Sequence, residues 1–119
     1  MFSPTESAFI RSQRLLRIGT ASPDGRPDVA PVGFDFDGDY FYISGMRNKE
    51  TLKYKHTKEN PLASLALDDL ASVQPWRPRG IKILGDVDFV VRQGYAGEKE
   101  YLRIKPRRVH SWGLEPAQD

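Results

Sequence analysis

The chain contains no cysteine. That excludes disulfide scaffolds, thiolate nucleophiles, iron–sulfur clusters and Cys-ligated zinc. Histidine is nearly as scarce: His56 and His110 are the only two. Two are too few for an ordinary zinc site without cysteine, so no metal is expected. No apolar run approaches the roughly 18–20 residues that a membrane-crossing helix needs. The opening residues Met1-Phe2-Ser3-Pro4-Thr5-Glu6 show no basic stretch leading into an apolar one. No signal peptide is therefore read, no membrane partner is expected, and the expected location is cytoplasmic. Charge of one sign is not in excess either. Eighteen Lys and Arg stand against 16 Asp and Glu, a formal net charge of +2, so overall charge gives no argument for nucleic acid. Walker A, G-x-G-x-x-G, H-E-x-x-H and G-x-S-x-G sequences are all missing. The acidic run Asp35-Phe36-Asp37-Gly38-Asp39 lacks the spacing and the closing Glu of a calcium loop and reads as a hairpin turn.

What remains is an ordinary globular composition: 119 residues, 39% hydrophobic and 29% charged. The length suits a single domain over 1–119. A domain of this size buries only about 65% of its unfolded surface. Enclosing a large ligand as well is difficult for one chain. Either there is no large pocket, or a second subunit supplies part of it.

Ser3, Pro4 and Glu6 form a capping-box start for a helix running to about residue 13. A strand is expected over 15–21, ended by the turn Ser22-Pro23-Asp24-Gly25. Residues 27–36 alternate, with Ala30, Val32, Phe34 and Phe36 on one face, and 40–45 is the return strand. Asn48 is read as the N-cap of a helix to about residue 58, stopped by Asn60-Pro61. Strands follow over 62–67 and 81–91, the second with a bend or bulge at Gly85, and 68–78 between them reads as a loop. A turn at 93–98 leads to a last extended segment, 101–114, broken at Pro106. Helix, three strands, helix, three strands describes a mainly β fold: a six-stranded antiparallel, closed or partly closed barrel with two short helices.

Positive charge is concentrated at 47–58, where Arg47, Lys49, Lys53, Lys55 and Lys58 face a single Glu50. On one helix, Lys49 and Lys53 stand four apart and repel, as do Lys55 and Lys58 three apart. A bound anion, phosphate above all, offsets such repulsion; a solvated lysine face is the other reading.

Several segments, in order, resemble the pyridoxamine 5′-phosphate oxidase-like, FMN-binding split-barrel superfamily. They are Ile18-Gly19-Thr20-Ala21, Asp24-Gly25-Arg26-Pro27, Ala30-Pro31-Val32-Gly33-Phe34, Tyr42-Ile43-Ser44, Lys53 with Pro61 eight residues on, and Trp76 with Arg79-Gly80-Ile81. The ending Tyr101-Leu102-Arg103-Ile104-Lys105-Pro106-Arg107-Arg108-Val109-His110-Ser111-Trp112-Gly113 is similar to that of short members classed as coenzyme F-420 (deazaflavin)-dependent oxidoreductases. Pyridoxamine phosphate oxidases end in an Arg-Leu-His-x-Arg motif, and Trp112 stands where its second Arg belongs, which counts against pyridoxine-phosphate oxidation.

The resemblance implies a split barrel that pairs as a homodimer, with two cofactor sites at the interface. It implies hydride transfer between F-420 and an unsaturated or conjugated small-molecule acceptor. FMN is the alternative cofactor, and a carrier of flavin, deazaflavin or tetrapyrrole without turnover is the alternative role. Lys53, then Lys49 and Lys55, would hold phosphate, and Ser44 would donate to the phosphate or ribityl chain. Pro31, Val32 and Gly33 would line the ring, Gly33 allowing close approach. Arg79 and Gly80 match positions near the ring or phosphate. Trp76 and Trp112 would stack on the cofactor or simply pack. The F-420 tail is polyanionic, and Lys49, Lys55, Lys58, Arg47, Arg77 and Arg79 are candidates to meet it. The catalytic residues are unknown; His110 and Tyr42 are the candidate proton donors, with a structural role as the other reading for His110. Nucleic acid is not expected, because the basic residues fall mostly on a helix rather than on exposed strands with aromatics.

Overall fold

The structure is a computed structural model that describes residues 1–45 and 47–115. Helix α1, Pro4–Ser12, begins with the expected capping box. The Glu6 backbone N–H donates to Ser3 Oγ, and the Ser3 backbone N–H to Glu6 Oε1, both at 3.0 Å. The helix buries Phe9 and Ile10, and Ser111 Oγ donates to Glu6 Oε2 at 2.8 Å, tying α1 to the last strand.

Seven strands follow: β1 Leu16–Ala21, β2 Pro27–Val32, β3 Asp35–Phe36, β4 Phe41–Ile43, β5 Leu62–Ser72, β6 Arg77–Gly94 and β7 Gly97–Trp112. All pairings are antiparallel, and the order across the sheet is β2-β1-β5-β6-β7-β4-β3. The two edge strands, β2 and β3, are joined by Gly33 and Phe34 alone. Two residues span at most about 10 Å, so the sheet must curl until its edges meet. They meet without pairing, which makes a barrel with one split seam. The strand expected over 27–36 is thus cut in two at that seam, and six expected strands become seven.

Alternation decides what fills the barrel. Leu16 and Ile18, Leu65 and Leu67, Ile81 and Ile83, and Leu102 and Ile104 all point inward and are buried. Phe2, Phe34 and Phe36 pack around Phe41 at one end.

Three expectations change. The loop expected over 68–78 is mostly strand: β5 runs to Ser72 and β6 resumes at Arg77. The cause is a cross-strand charge pair, since Asp69 is the register partner of Arg79 and the two form a bidentate ion pair. The last strand is continuous through Pro106. A register shift opposite Leu84 and Gly85 leaves Arg107 as the extra residue, so the proline sits at a bulge. Gly85 has no room there, as a Cβ would stand 2.6 Å from Ile104 Cγ2. Finally, Asn48 does not cap the second helix. It opens a single 3-10 turn, Asn48–Glu50, and its Nδ2 donates to the Glu100 carbonyl at 3.2 Å. Thr51 caps α2, Leu52–Glu59, instead. Lys49 therefore stands before α2, and the four-residue lysine contact expected with Lys53 does not exist.

Candidate functional site

The outward residues of five strands form cross-strand rows. One row runs Val29, Gly19, Ser64, Leu84, Arg108 from β2 to β7; the next runs Pro31, Arg17, Ala66, Lys82, His110. Gly19, Ser64 and Ala66 leave a low floor between longer side chains, Arg17, Val29, Lys82, Leu84, Arg108 and His110, which makes a furrow. One part, of about 730 Å³, is lined by Arg17, Gly19, Ser64, Lys82, Arg108 and His110 among others. The other, of about 740 Å³, shares Gly19, Val29, Ser64 and Leu84 and continues to Thr20, Asp28, Asn60 and Leu62. Apolar side chains border it in the open: Val29 is 68% exposed, and Leu62 and Leu84 are also exposed.

Helix α2 closes the Asp28 end. His56 Nδ1 lies 2.9 Å from Thr20 Oγ1, and Thr20 is the register partner of Asp28. Lys53 is one turn before His56 on the same helical face. It is only 7% exposed, yet no hydrogen bond or ion pair of its amine is found among the described residues. Burial pushes its pKa down, and the charge of Asp28 acts the other way. Lys82 and Arg108 also lack an ion-pair partner among the described residues, whereas Arg17 is paired with Asp68 at 3.1 Å. The furrow is thus a flat-floored trough with apolar borders and unneutralised positive charge. Those are the properties that an aromatic anion requires.

The expected site residues separate. Lys53 lines neither part of the furrow; it lies on α2, whose His56 meets Thr20 at the furrow's Asp28 end, while Lys49 and Lys55 are exposed on the same segment and Pro31 and His110 lie on a furrow row. Val32 packs against the core. Gly33 sits at the seam facing Tyr95, whose Cε2 would be 3.3 Å from a Cβ there. Ser44 is buried, its hydroxyl donating to the Glu100 carbonyl at 3.0 Å and its backbone held by Tyr95. Tyr42 Oη donates to Asp37 at 2.7 Å beneath the Arg92 guanidinium, and burial with that bond pushes its pKa up. Neither Ser44 nor Tyr42 reaches the furrow. Arg79, Gly80, Trp112 and Trp76 gather at the β5–β6 hairpin. Arg79 is spent on Asp69 and lies over Phe9. Trp112 covers Gly80, where a Cβ would be 2.5 Å from Trp112 Cζ2, and stacks with His110 at 5.8 Å. From Ala63 beside the furrow's α2 end to Asp69 beside Arg79 is six residues of strand, about 20 Å. Lys58 packs over Phe89 and pairs with Glu100 rather than pointing to the furrow.

Arg17, Gly19, Ser64, Lys82, Leu84 and Arg108 were not among the expected residues. The signal was present in the alternation: if Ile18, Leu65 and Ile83 face inward, their neighbours face out.

Residues 2–113 match the family model described as pyridoxamine 5′-phosphate oxidase. The chain belongs to that family. Among its relatives is a 5a,11a-dehydrotetracycline/5a,11a-dehydrooxytetracycline reductase of Streptomyces rimosus subsp. rimosus, 27% identical over 96% of this chain and 84% of that protein. Solved structures of like fold include HupZ of group A Streptococcus, with a TM-score of 0.74 at 16% identity over 95% of each chain. An F420 reductase matches with a TM-score of 0.67 at 17% identity, over 92% of this chain and 98% of that one. Membership fits the observed split barrel, which is a flavin-binding fold.

Proposed function

We propose that this protein is an oxidoreductase that binds coenzyme F-420 in the furrow and passes a hydride between it and an unsaturated or conjugated small molecule. The observation that carries the reading is Lys53: a mostly buried lysine whose amine makes no hydrogen bond or ion pair among the described residues, on the helix that closes one end of a trough with apolar borders. Burying a cation without compensation is costly, and an anionic phosphate offsets that cost through charge-assisted hydrogen bonds. Lys49 and Lys55, exposed and without ion-pair partners among the described residues, flank Lys53 and suit the acidic tail of F-420. FMN has no such tail. The reductase named above, at 27% identity, supports reduction as the reaction class.

The bound deazaflavin would supply the hydride chemistry. The chain's own part is to anchor the phosphate through Lys53 and to give the ring a flat floor at Gly19 and Ser64. His110, which lines the other part of the furrow, is the candidate proton carrier for a substrate bound there. A second copy of the chain, seated on Val29, Leu62 and Leu84, would exclude water from above. Residues at the β5–β6 hairpin, Trp76 above all, reach the same cofactor only from that second copy.

The test is parallel titration of the purified protein with F-420 and FMN, followed by oxidation of reduced F-420 with a panel of conjugated acceptors. Tight F-420 binding with turnover is expected. Negligible affinity for both cofactors would overturn the reading, and sedimentation as a stable monomer would remove the second copy from it.

A further inference from the structure

Asp28 is the one acidic residue lining the α2 end of the furrow. It stands in register with Thr20, on the face of β2 that also carries Ala30 and Val32, and the Thr20 hydroxyl meets His56 on the helical face that also presents Lys53. It forms no hydrogen bond or ion pair among the described residues, and no ion pair within 4 Å joins it to Lys53. Its charge is nevertheless felt by the Lys53 amine. Its carboxylate favours the Lys53 cation and, by the same charge, lowers the attraction of this end of the furrow for any anion.

We infer that Asp28 selects the cofactor by the charge of its phosphate, favouring a singly charged phosphodiester over a doubly charged phosphomonoester. The inference rests on the reading of Lys53 as the phosphate holder. F-420 joins its phosphate to the lactyl tail, so that the group is a diester with one negative charge. FMN ends in a monoester carrying about −1.5 to −2 at neutral pH. One lysine opposite one carboxylate leaves a local charge near zero, which a monoanion tolerates far better than a dianion. Coulomb repulsion from Asp28 scales with ligand charge, so its effect on log affinity for FMN is close to double that for F-420.

The experiment is Asp28→Asn, which keeps the size of the side chain and removes its charge. Affinities for F-420, FMN and riboflavin, which has no phosphate, are measured by fluorescence titration at neutral pH. At separations of this order the gain for F-420 is about threefold and that for FMN about tenfold, roughly its square, with riboflavin unchanged. Equal gains for F-420 and FMN, or no gain for either, would overturn the role of Asp28 while leaving the furrow as the cofactor site. A riboflavin gain as large as that of FMN would also overturn it, because the effect would then lie with the ring and not the phosphate. If the unaltered protein and the variant bind none of the three, the cofactor reading fails and Asp28's role fails with it.

Discussion

The two ends of the barrel carry similar charges in opposite circumstances. At the α2 end, Lys53 is mostly buried and makes no hydrogen bond or ion pair among the described residues, and only the charge of Asp28 favours its cation. At the β5–β6 hairpin, Arg79 is half-exposed and held by both oxygens of Asp69 at 2.5 and 3.0 Å, with Gln13 donating to the same carboxylate at 2.8 Å. The Arg79 guanidinium draws the Asp69 pKa below the usual carboxylate range. A cation whose partner is in its own chain is a strut. A buried cation without a contact partner is a cost to folding that a bound anion would offset. Sequence resemblance treats both as site residues; the hydrogen bonds tell them apart.

The contrast breaks most sharply at Lys53. Lys53→Ala should weaken F-420 binding by more than about tenfold, the loss of a charge-assisted contact worth about 1.5–3 kcal/mol. Lys53→Met should do the same while raising the melting temperature of the free protein, because it replaces a desolvated cation by an apolar chain of similar length. A lowered melting temperature in Lys53→Met with unchanged affinity would make Lys53 a structural residue after all.

The glycines sharpen the same comparison. At Gly80 a Cβ meets Trp112 Cζ2 at 2.5 Å and the Leu67 carbonyl at 2.9 Å. Gly80→Ala should therefore cost about 2 kcal/mol of stability, read from denaturant unfolding. At Gly19 the nearest atoms lie at 3.8 Å, so Gly19→Ala should leave stability within about 0.5 kcal/mol. A bulkier Gly19→Leu would fill the furrow floor and abolish ring binding in a folded protein. On that reading Gly80 is required by the chain, and Gly19 by the proposed ligand.

The fold was largely legible because the inward faces of its strands are mostly apolar at every second residue. Ile81, Ile83, Val87 and Phe89 announce β6 without any tertiary information. The extent of β5 was hidden, because Asp68 to Ser72 owe their strand to partners on β6, above all Arg79, and not to their own pattern. The cap of α2 was hidden for a similar reason. Asn48 is the better capping residue in isolation, but the Glu100 carbonyl claims its side chain and leaves Thr51 to do the work. Lys53 was marked out as a candidate in the sequence by its spacing to Pro61. The furrow was not, because its lining alternates with the core and carries no motif. Ser44 and Tyr42 show the reverse failure, as their polar groups look available in the sequence and are consumed by Glu100, Tyr95 and Asp37.

Arg79→Met tests the strut directly. Losing a half-exposed bidentate pair should cost about 1 kcal/mol, less than a buried pair because solvent screens it. F-420 affinity should stay within about twofold if the pair serves only the hairpin. A larger loss of affinity than of stability would place Arg79 on the cofactor of the second copy, and the distinction between the two cations would have to be redrawn.

The smallest expected effect is a pH dependence that belongs to Lys53 alone. Its folded-state pKa lies below the ordinary lysine value of 10.5 because burial disfavours the cation. Between those two values the unfolded chain binds more protons than the folded one, so the free protein gains stability as pH rises through that window. Cofactor affinity runs the other way over the same window, since the amine that loses its proton loses its hold on phosphate. Other lysines and tyrosines titrate there too, so the quantity to measure is the difference between the unaltered protein and Lys53→Met. The slope should be present in the first and absent in the second, for stability and affinity with opposite signs. The effect is modest because Asp28 opposes the shift. In Asp28→Asn the amine should release its proton at lower pH still and widen the window. A window that does not move would mean that the two charges do not sense one another.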